Sequence, residues 1–111
     1  MEITLATREV DGFSVIEVTG EVDVHTAPEL DAKLTEIISG GSNKLIVDLS
    51  QVEFLDSTGL GVLVTALKHV REHDGSLSVV TATERISKVF RITGLDAAIG
   101  LYDDVDEAVR A

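Results

Sequence analysis

An α/β fold is expected: a mixed sheet of four to five strands built from an N-terminal hairpin and parallel βαβ units, with about four helices. Three observations predict it. Apolar segments of strand length alternate with segments of helical periodicity from Phe13 onward, which argues for parallel strands joined by right-handed crossovers. Asp11-Gly12 separates the first two strand-like segments as a tight hairpin signal. The 111 residues suffice for one domain, 1–111, and a chain of that length buries roughly two-thirds of its unfolded surface.

Each element has its own local cause. Residues 3–9 alternate loosely, and residues 13–19 carry Val15, Ile16 and Val18; together they make the hairpin. Residues 20–28 read as a loop running into a helix. Thr26 is its expected N-cap, and Pro28 sits near the first helical position, where its missing N–H costs nothing. Leu30, Leu34, Ile37 and Ile38 keep helical spacing up to Ser39, and Gly40-Gly41 end the helix. Residues 45–49 are apolar except for Asp48, as in a strand covered on most of its surface. Residues 50–55 read as a short connection. A second helix, from 58 to about 73, aligns Leu60, Leu63, Leu67 and Val70, with Lys68, Arg71 and Glu72 off that stripe. Asp74-Gly75 stops it. Residues 77–81 form the next strand. Residues 84–93 form a short helix with Ile86, Val89 and Phe90 inward, closed by Gly94. A last strand is expected at 98–101 and a last helix at 105–110.

The chain is organised around Asp56-Ser57-Thr58-Gly59-Leu60-Gly61. Ser and Thr favour helix N-caps because their side-chain oxygens accept from free backbone N–H groups. The glycines are unexpected, since each costs about 1 kcal/mol against Ala inside a helix. Without side chains at 59 and 61, another molecule can approach the backbone beside Ser57. The turn therefore reads as a docking surface carrying a modifiable hydroxyl. Taken alone, the same serine is also what an ordinary N-cap looks like.

Composition narrows the function classes. With 20 acidic and 9 basic residues the net charge is −11, the wrong sign for a nucleic-acid binder, which needs cations to displace counterions. Such a field favours a partner with a basic patch. Hydrophobic residues make up 44% and mean hydropathy is +0.24, so a folded chain is expected. No run of 18 apolar residues and no basic-then-apolar start is present, so neither a membrane span nor a secretory leader is expected. The absence of cysteine suits a cytoplasmic location.

Phe54-Leu55-Asp56-Ser57-Thr58-Gly59-Leu60-Gly61-Val62-Leu63-Val64 resembles the signature of the bacterial anti-sigma factor antagonists, small single-domain STAS proteins. Two further segments, GEVDVHTAPEL at 20–30 and KVFRITGL at 88–95, resemble the same family in the same order, so the likeness spans most of the chain. It implies a STAS-type sheet and a specific mode of action. The hydroxyl matching Ser57 is expected to be phosphorylated by an anti-sigma factor with serine kinase activity, ATP and magnesium being held by that kinase and no cofactor by this chain. Unphosphorylated, such a protein binds the anti-sigma factor and frees the sigma factor; a phosphoserine phosphatase reverses the modification. The expected contact residues are Asp23, Thr26, Asp56, Ser57, Thr58, Gly61 and Val62, with Thr58 a rival acceptor and the protein a monomer or weak dimer. The resemblance sets Asp23 beside the phosphorylation site in partner recognition; on its residues alone it could equally cap local N–H groups.

The physics of such a switch is simple. A phosphoserine carries about −1.5 to −2 charges, and a helix N-terminus stabilises it by about 0.3–1 kcal/mol, so the fold should tolerate it. Facing one carboxylate at about 6 Å, it meets repulsion on the order of 2–5 kcal/mol at an effective dielectric of 20–40. At a partner surface the same magnitude weakens binding by roughly 30-fold to several thousand-fold.

Other signals are weaker. His69 and His73 have metal-ligand spacing but no third ligand nearby. His25 reads as a loop or interface residue rather than a base. Asp48 resembles a receiver-type acceptor aspartate but lacks the acidic pair and lysine that chemistry needs. Gly40-Gly41-Ser42-Asn43-Lys44 precedes a strand, so it is not a P-loop. Asp103, Asp104, Asp106 and Glu107 sit where a helix dipole favours acids; the 12-residue calcium pattern is missing. No nucleophile–base pair or phosphate cradle supports an enzyme. The alternative to sigma-factor control is a STAS interaction subunit of a stress-signalling or transport assembly.

Overall fold

The computed structural model describes residues 2–111. Strand β1 (Ile3–Val10) and strand β2 (Phe13–Val22) form the antiparallel hairpin. Helix α1 (Ala27–Ser39), strand β3 (Lys44–Leu55), helix α2 (Ser57–Arg71), strand β4 (Ser76–Val80), helix α3 (Glu84–Thr93), strand β5 (Gly100–Tyr102) and helix α4 (Val105–Arg110) follow. The five strands lie in the order β1-β2-β3-β4-β5, and every pair after the hairpin is parallel. This is the mixed STAS-type α/β sheet expected from the sequence.

Crossovers that advance one strand at a time with one hand must place their helices on one face. The main core obeys this: Ile16, Val18, Val47 and Leu49 of the sheet pack with Leu30 and Leu34 of α1, Leu63 and Val70 of α2, and Ile86 and Phe90 of α3. The strand residues of opposite parity, Val15, Ile46 and Val80, point to the other face, where Val105 and Ala108 of α4 cover them. The two-residue period of a strand is thus visible as two cores.

Several boundaries differ from the expectation, each for a local reason. Strand β2 continues to Val22 instead of turning to loop after 19, with Gly20 at φ +111° facing a bulge in β3. A side chain there would put its Cβ 2.3 Å from the Glu2 carbonyl oxygen. Strand β3 continues through residues 50–55, read above as a connection; Gln51, Val52, Phe54 and Leu55 pair with Thr19, Gly20, Glu21 and Val22. Helix α2 begins at Ser57 and ends at Arg71, followed by Asp74 at φ +59°. A short 3-10 turn, Leu95–Ala97, delays β5 to Gly100. Helices α3 and α4 have the predicted bounds. Thr83 caps α3 by accepting from the Ile86 N–H at 3.4 Å, and Asp104 caps α4 by accepting from the Glu107 N–H at 2.7 Å.

Candidate functional site

The long parallel pairing of β2 with β3 determines where the site lies. Val22 and Leu55 are register partners at the strand ends, and the Asp56 N–H donates to the Val22 carbonyl at 3.1 Å. The turn leading into α1 and the turn leading into α2 therefore start side by side. Only Asp56 stands between β3 and α2.

The first turn is closed on itself. The Asp23 carboxylate accepts from the His25 N–H at 2.8 Å and the Thr26 N–H at 3.0 Å, while the Thr26 hydroxyl accepts from the Asp23 N–H at 2.9 Å. The same hydroxyl donates to the Glu21 carbonyl at 2.7 Å. This is the reciprocal bonding of a capping box with threonine in the returning position, made in the turn 23–26 just before α1. Thr26 stands at the N-cap position, as expected, but makes no side-chain bond to the first turn of α1. Asp23 and Thr26 are only 6% and 4% exposed. The Thr26 N–H holds the Asp23 carboxyl below its ordinary range, against the opposing pull of desolvation and with help from the His25 N–H.

The second turn is open. Asp56 is the N-cap of α2, accepting from the Thr58 N–H at 2.9 Å and the Gly59 N–H at 3.1 Å. This corrects the reading of Ser57 and Thr58 as caps: Asp56 takes the role, and Ser57 becomes the first helical residue. Both hydroxyl residues are exposed, and neither side chain is hydrogen-bonded among the described residues. The glycines divide. A Cβ on Gly59 would sit 2.6 Å from Leu55 Cδ1 and 2.7 Å from Val22 Cγ1, so packing of α2 onto the strand ends requires glycine there. Around Gly61 nothing lies within 4 Å of such an atom. The docking explanation offered for both glycines is needed at Gly61 alone.

The predicted contact residues thus fall into three groups. Ser57, Thr58 and Gly61 are exposed, Asp56 and Val62 are half-buried, and Asp23 and Thr26 are buried anchors of the adjoining loop. Val62, expected off the buried stripe, packs partly against the main core. Two apolar residues beside the site escaped the sequence reading: Val24, 60% exposed, and Phe54, 42% exposed. Val24 could have been noticed as an apolar residue between Asp23 and His25. Phe54 could not, because simple alternation from the buried Val52 points it inward, and the bulge opposite Gly20 and Glu21 reverses that parity. His69, Glu72 and His73 line a shallow groove between the ends of α1 and α2, and no cluster able to hold a metal ion occurs among the described residues. Among them, too, no helix is long and apolar enough to cross a membrane.

Comparison with known proteins agrees with this geometry. The STAS domain model matches residues 4–108. The anti-sigma-B factor antagonist of Staphylococcus aureus is 39% identical over 95 residues, covering 86% of this chain and 88% of that protein. The crystal structure of an anti-sigma factor antagonist from Mycobacterium paratuberculosis superimposes with a TM-score of 0.91 at 34% identity, covering 98% of this chain and 92% of the other. The Bacillus cell fate determinant SpoIIAA in its phosphorylated form shares the fold, with a TM-score of 0.74 at 23% identity over 96% of this chain and 97% of its own. The chain belongs to the STAS domain family, among its anti-sigma factor antagonists.

Proposed function

We propose that this protein is an anti-sigma factor antagonist that works by partner switching. Unphosphorylated, it binds an anti-sigma factor with serine kinase activity through the surface around Ser57 and so frees the sigma factor. That kinase, holding ATP and magnesium, phosphorylates Ser57 and ends the contact; a phosphoserine phosphatase restores it. The observation that carries this reading is the open turn: Ser57 is exposed at the first position of a 15-residue helix, beside a glycine whose side-chain space is empty. A neutral hydroxyl there can be covered by another protein. A dianion there gains the helix dipole, yet it meets Asp56, which already accepts from the Thr58 and Gly59 N–H groups, and the desolvation cost of any packed interface. In this reading the phosphate leaves the fold intact and spoils the contact. Val24, His25 and Phe54 join the contact surface, while Asp23 and Thr26 act by shaping the loop.

The test is a kinase assay and a binding assay on the same samples. Incubated with ATP, magnesium and the anti-sigma factor, the wild type should be labelled and Ser57→Ala should not, while Thr58→Val is still labelled. Ser57→Asp should bind the anti-sigma factor at least 30-fold more weakly with an unchanged thermal midpoint. Equal affinity for the phosphorylated and unphosphorylated forms would overturn the switch.

A further inference from the structure

Helix α2 does not lose its exposed surface after Gly61. Ser57, Gly61, Val64, Lys68 and Arg71 recur at spacings of four and three, which puts them on one face, and all are exposed. At 1.5 Å per residue this face runs about 20 Å from the turn. Its far half borders a shallow groove of about 520 Å³ whose apolar walls are Val64, Leu67, Leu95 and Ala98. Val64 is 41% exposed. Lys68 and Arg71 line the rim, with Glu72 at one end. The Arg71 guanidinium donates to the Ala98 carbonyl at 3.2 Å, tying the 3-10 turn to the helix.

The charge there runs against the rest of the molecule. Although the net charge is −11, α2 carries Lys68 and Arg71 and no acid, and α3 carries Arg85, Lys88 and Arg91 against Glu84 alone. Five of the nine basic residues therefore lie on two helices that hold one of the 20 acids. Arg91 pairs with Glu84; among the described residues Lys68, Arg71, Arg85 and Lys88 form no ion pair. Of these, Lys68 and Arg71 stand at the groove, against Glu72 alone; two unpaired cations beside an apolar groove, on an otherwise acidic protein, match an apolar ridge flanked by carboxylates.

We infer that this groove is a second contact for the anti-sigma factor and takes an acidic amphipathic segment of it, one exposed helix face carrying both the groove and Ser57. The inference rests on the proposed binding at Ser57 and extends it. The groove supplies affinity and register that the modified turn alone does not, and being distant from Ser57 it holds the kinase in place during phosphoryl transfer.

The experiment measures binding kinetics and Ser57 phosphorylation with the purified anti-sigma factor kinase of the same genome, using Val64→Glu, Lys68→Glu and Ser57→Asp. Val64→Glu should weaken binding at least tenfold and raise KM for phosphorylation while kcat stays within twofold. Lys68→Glu, on an exposed side chain, should slow association several-fold at low ionic strength, with the difference closing near 0.5 M salt. If both bind as the wild type does while Ser57→Asp loses binding, the groove inference is overturned and the Ser57 reading stands. If Ser57→Asp also binds normally, or the wild type does not bind, both fall together. Tighter binding by Lys68→Glu would overturn the acidic assignment. Self-association abolished by Val64→Glu, with partner affinity unchanged, would give the groove to a second copy and overturn the inference as well.

Discussion

Two neighbouring turns of this protein use the same ingredients and reach opposite outcomes. Each follows a strand, each is led by an aspartate that accepts from two backbone N–H groups, and each contains hydroxyl residues. In the first, the residue three after Asp23 is Thr26, whose hydroxyl returns a bond to the Asp23 N–H and buries itself. In the second, the residue three after Asp56 is Gly59, which has no side chain to return. The Asp56 N–H turns to the Val22 carbonyl instead, and Ser57 and Thr58 stay in solvent. One residue type at the third position separates a locked loop from an accessible site. The glycine that opens the turn is also the one packing demands.

The sharpest way to break that comparison is to make the same substitution on both glycines of α2. Gly59→Leu drives a side chain into Leu55 and Val22, so it should destabilise the domain by about 1–3 kcal/mol or more. Gly61→Leu meets empty space and removes a helix-interior glycine, so it should stabilise by up to about 1 kcal/mol. It should nevertheless weaken partner binding at least tenfold. Urea unfolding and a binding titration on each variant check both signs. If the two variants lose comparable stability, or if Gly61→Leu binds as well as the wild type, the division between a packing glycine and a docking glycine is wrong.

This contrast also explains how much was legible beforehand. The hydrophobic periods place the helices, and the motif around Ser57 identifies the site. What the sequence does not expose is which side-chain absence serves the interior. Gly59 and Gly61 are both glycines in one motif, and only the register of β2 against β3 brings Val22 and Leu55 under the first. The same register hid the length of β3. Residues 50–55 contain Ser50, Gln51 and Glu53, and two bulges break the alternation that marks a strand. Asp56 is the cap although a serine and a threonine, both good cap residues, follow it. In helix electrostatics an aspartate before them is the better acceptor. The motif likewise does not show that Asp23 and Thr26 lie buried in the loop beside Ser57.

A smaller effect comes from the caps themselves. Asp56→Ala removes an acceptor from two N–H groups of α2 and should cost about 0.5–2 kcal/mol. The loss should stay local, with hydrogen exchange rising in the first turn of α2 and the Asp23 loop unaffected. Fraying that spreads into residues 23–26 would show that the two turns are one cooperative unit, joined through the bond from Asp56 to Val22.

The smallest effect separates charge from hydrogen bonding in the closed turn. Asp23→Asn keeps an acceptor oxygen for the His25 and Thr26 N–H groups but removes the charge. The Asp23 carboxyl titrates below its ordinary value of 3.8, chiefly because the Thr26 N–H favours the ionised form. A depressed folded-state pKa means that the unfolded chain binds the proton more readily. The stabilisation is therefore present above the unfolded pKa and lost as pH falls through the folded one. Wild type and Asp23→Asn should differ in urea midpoint at pH 6, with the wild type more stable, and should converge as pH drops below about 4. Partner binding at neutral pH should fall only as far as the Val24–His25 tip moves. A midpoint difference that persists unchanged to pH 3 would mean that the carboxylate charge contributes nothing to locking the loop, leaving geometry alone to hold it.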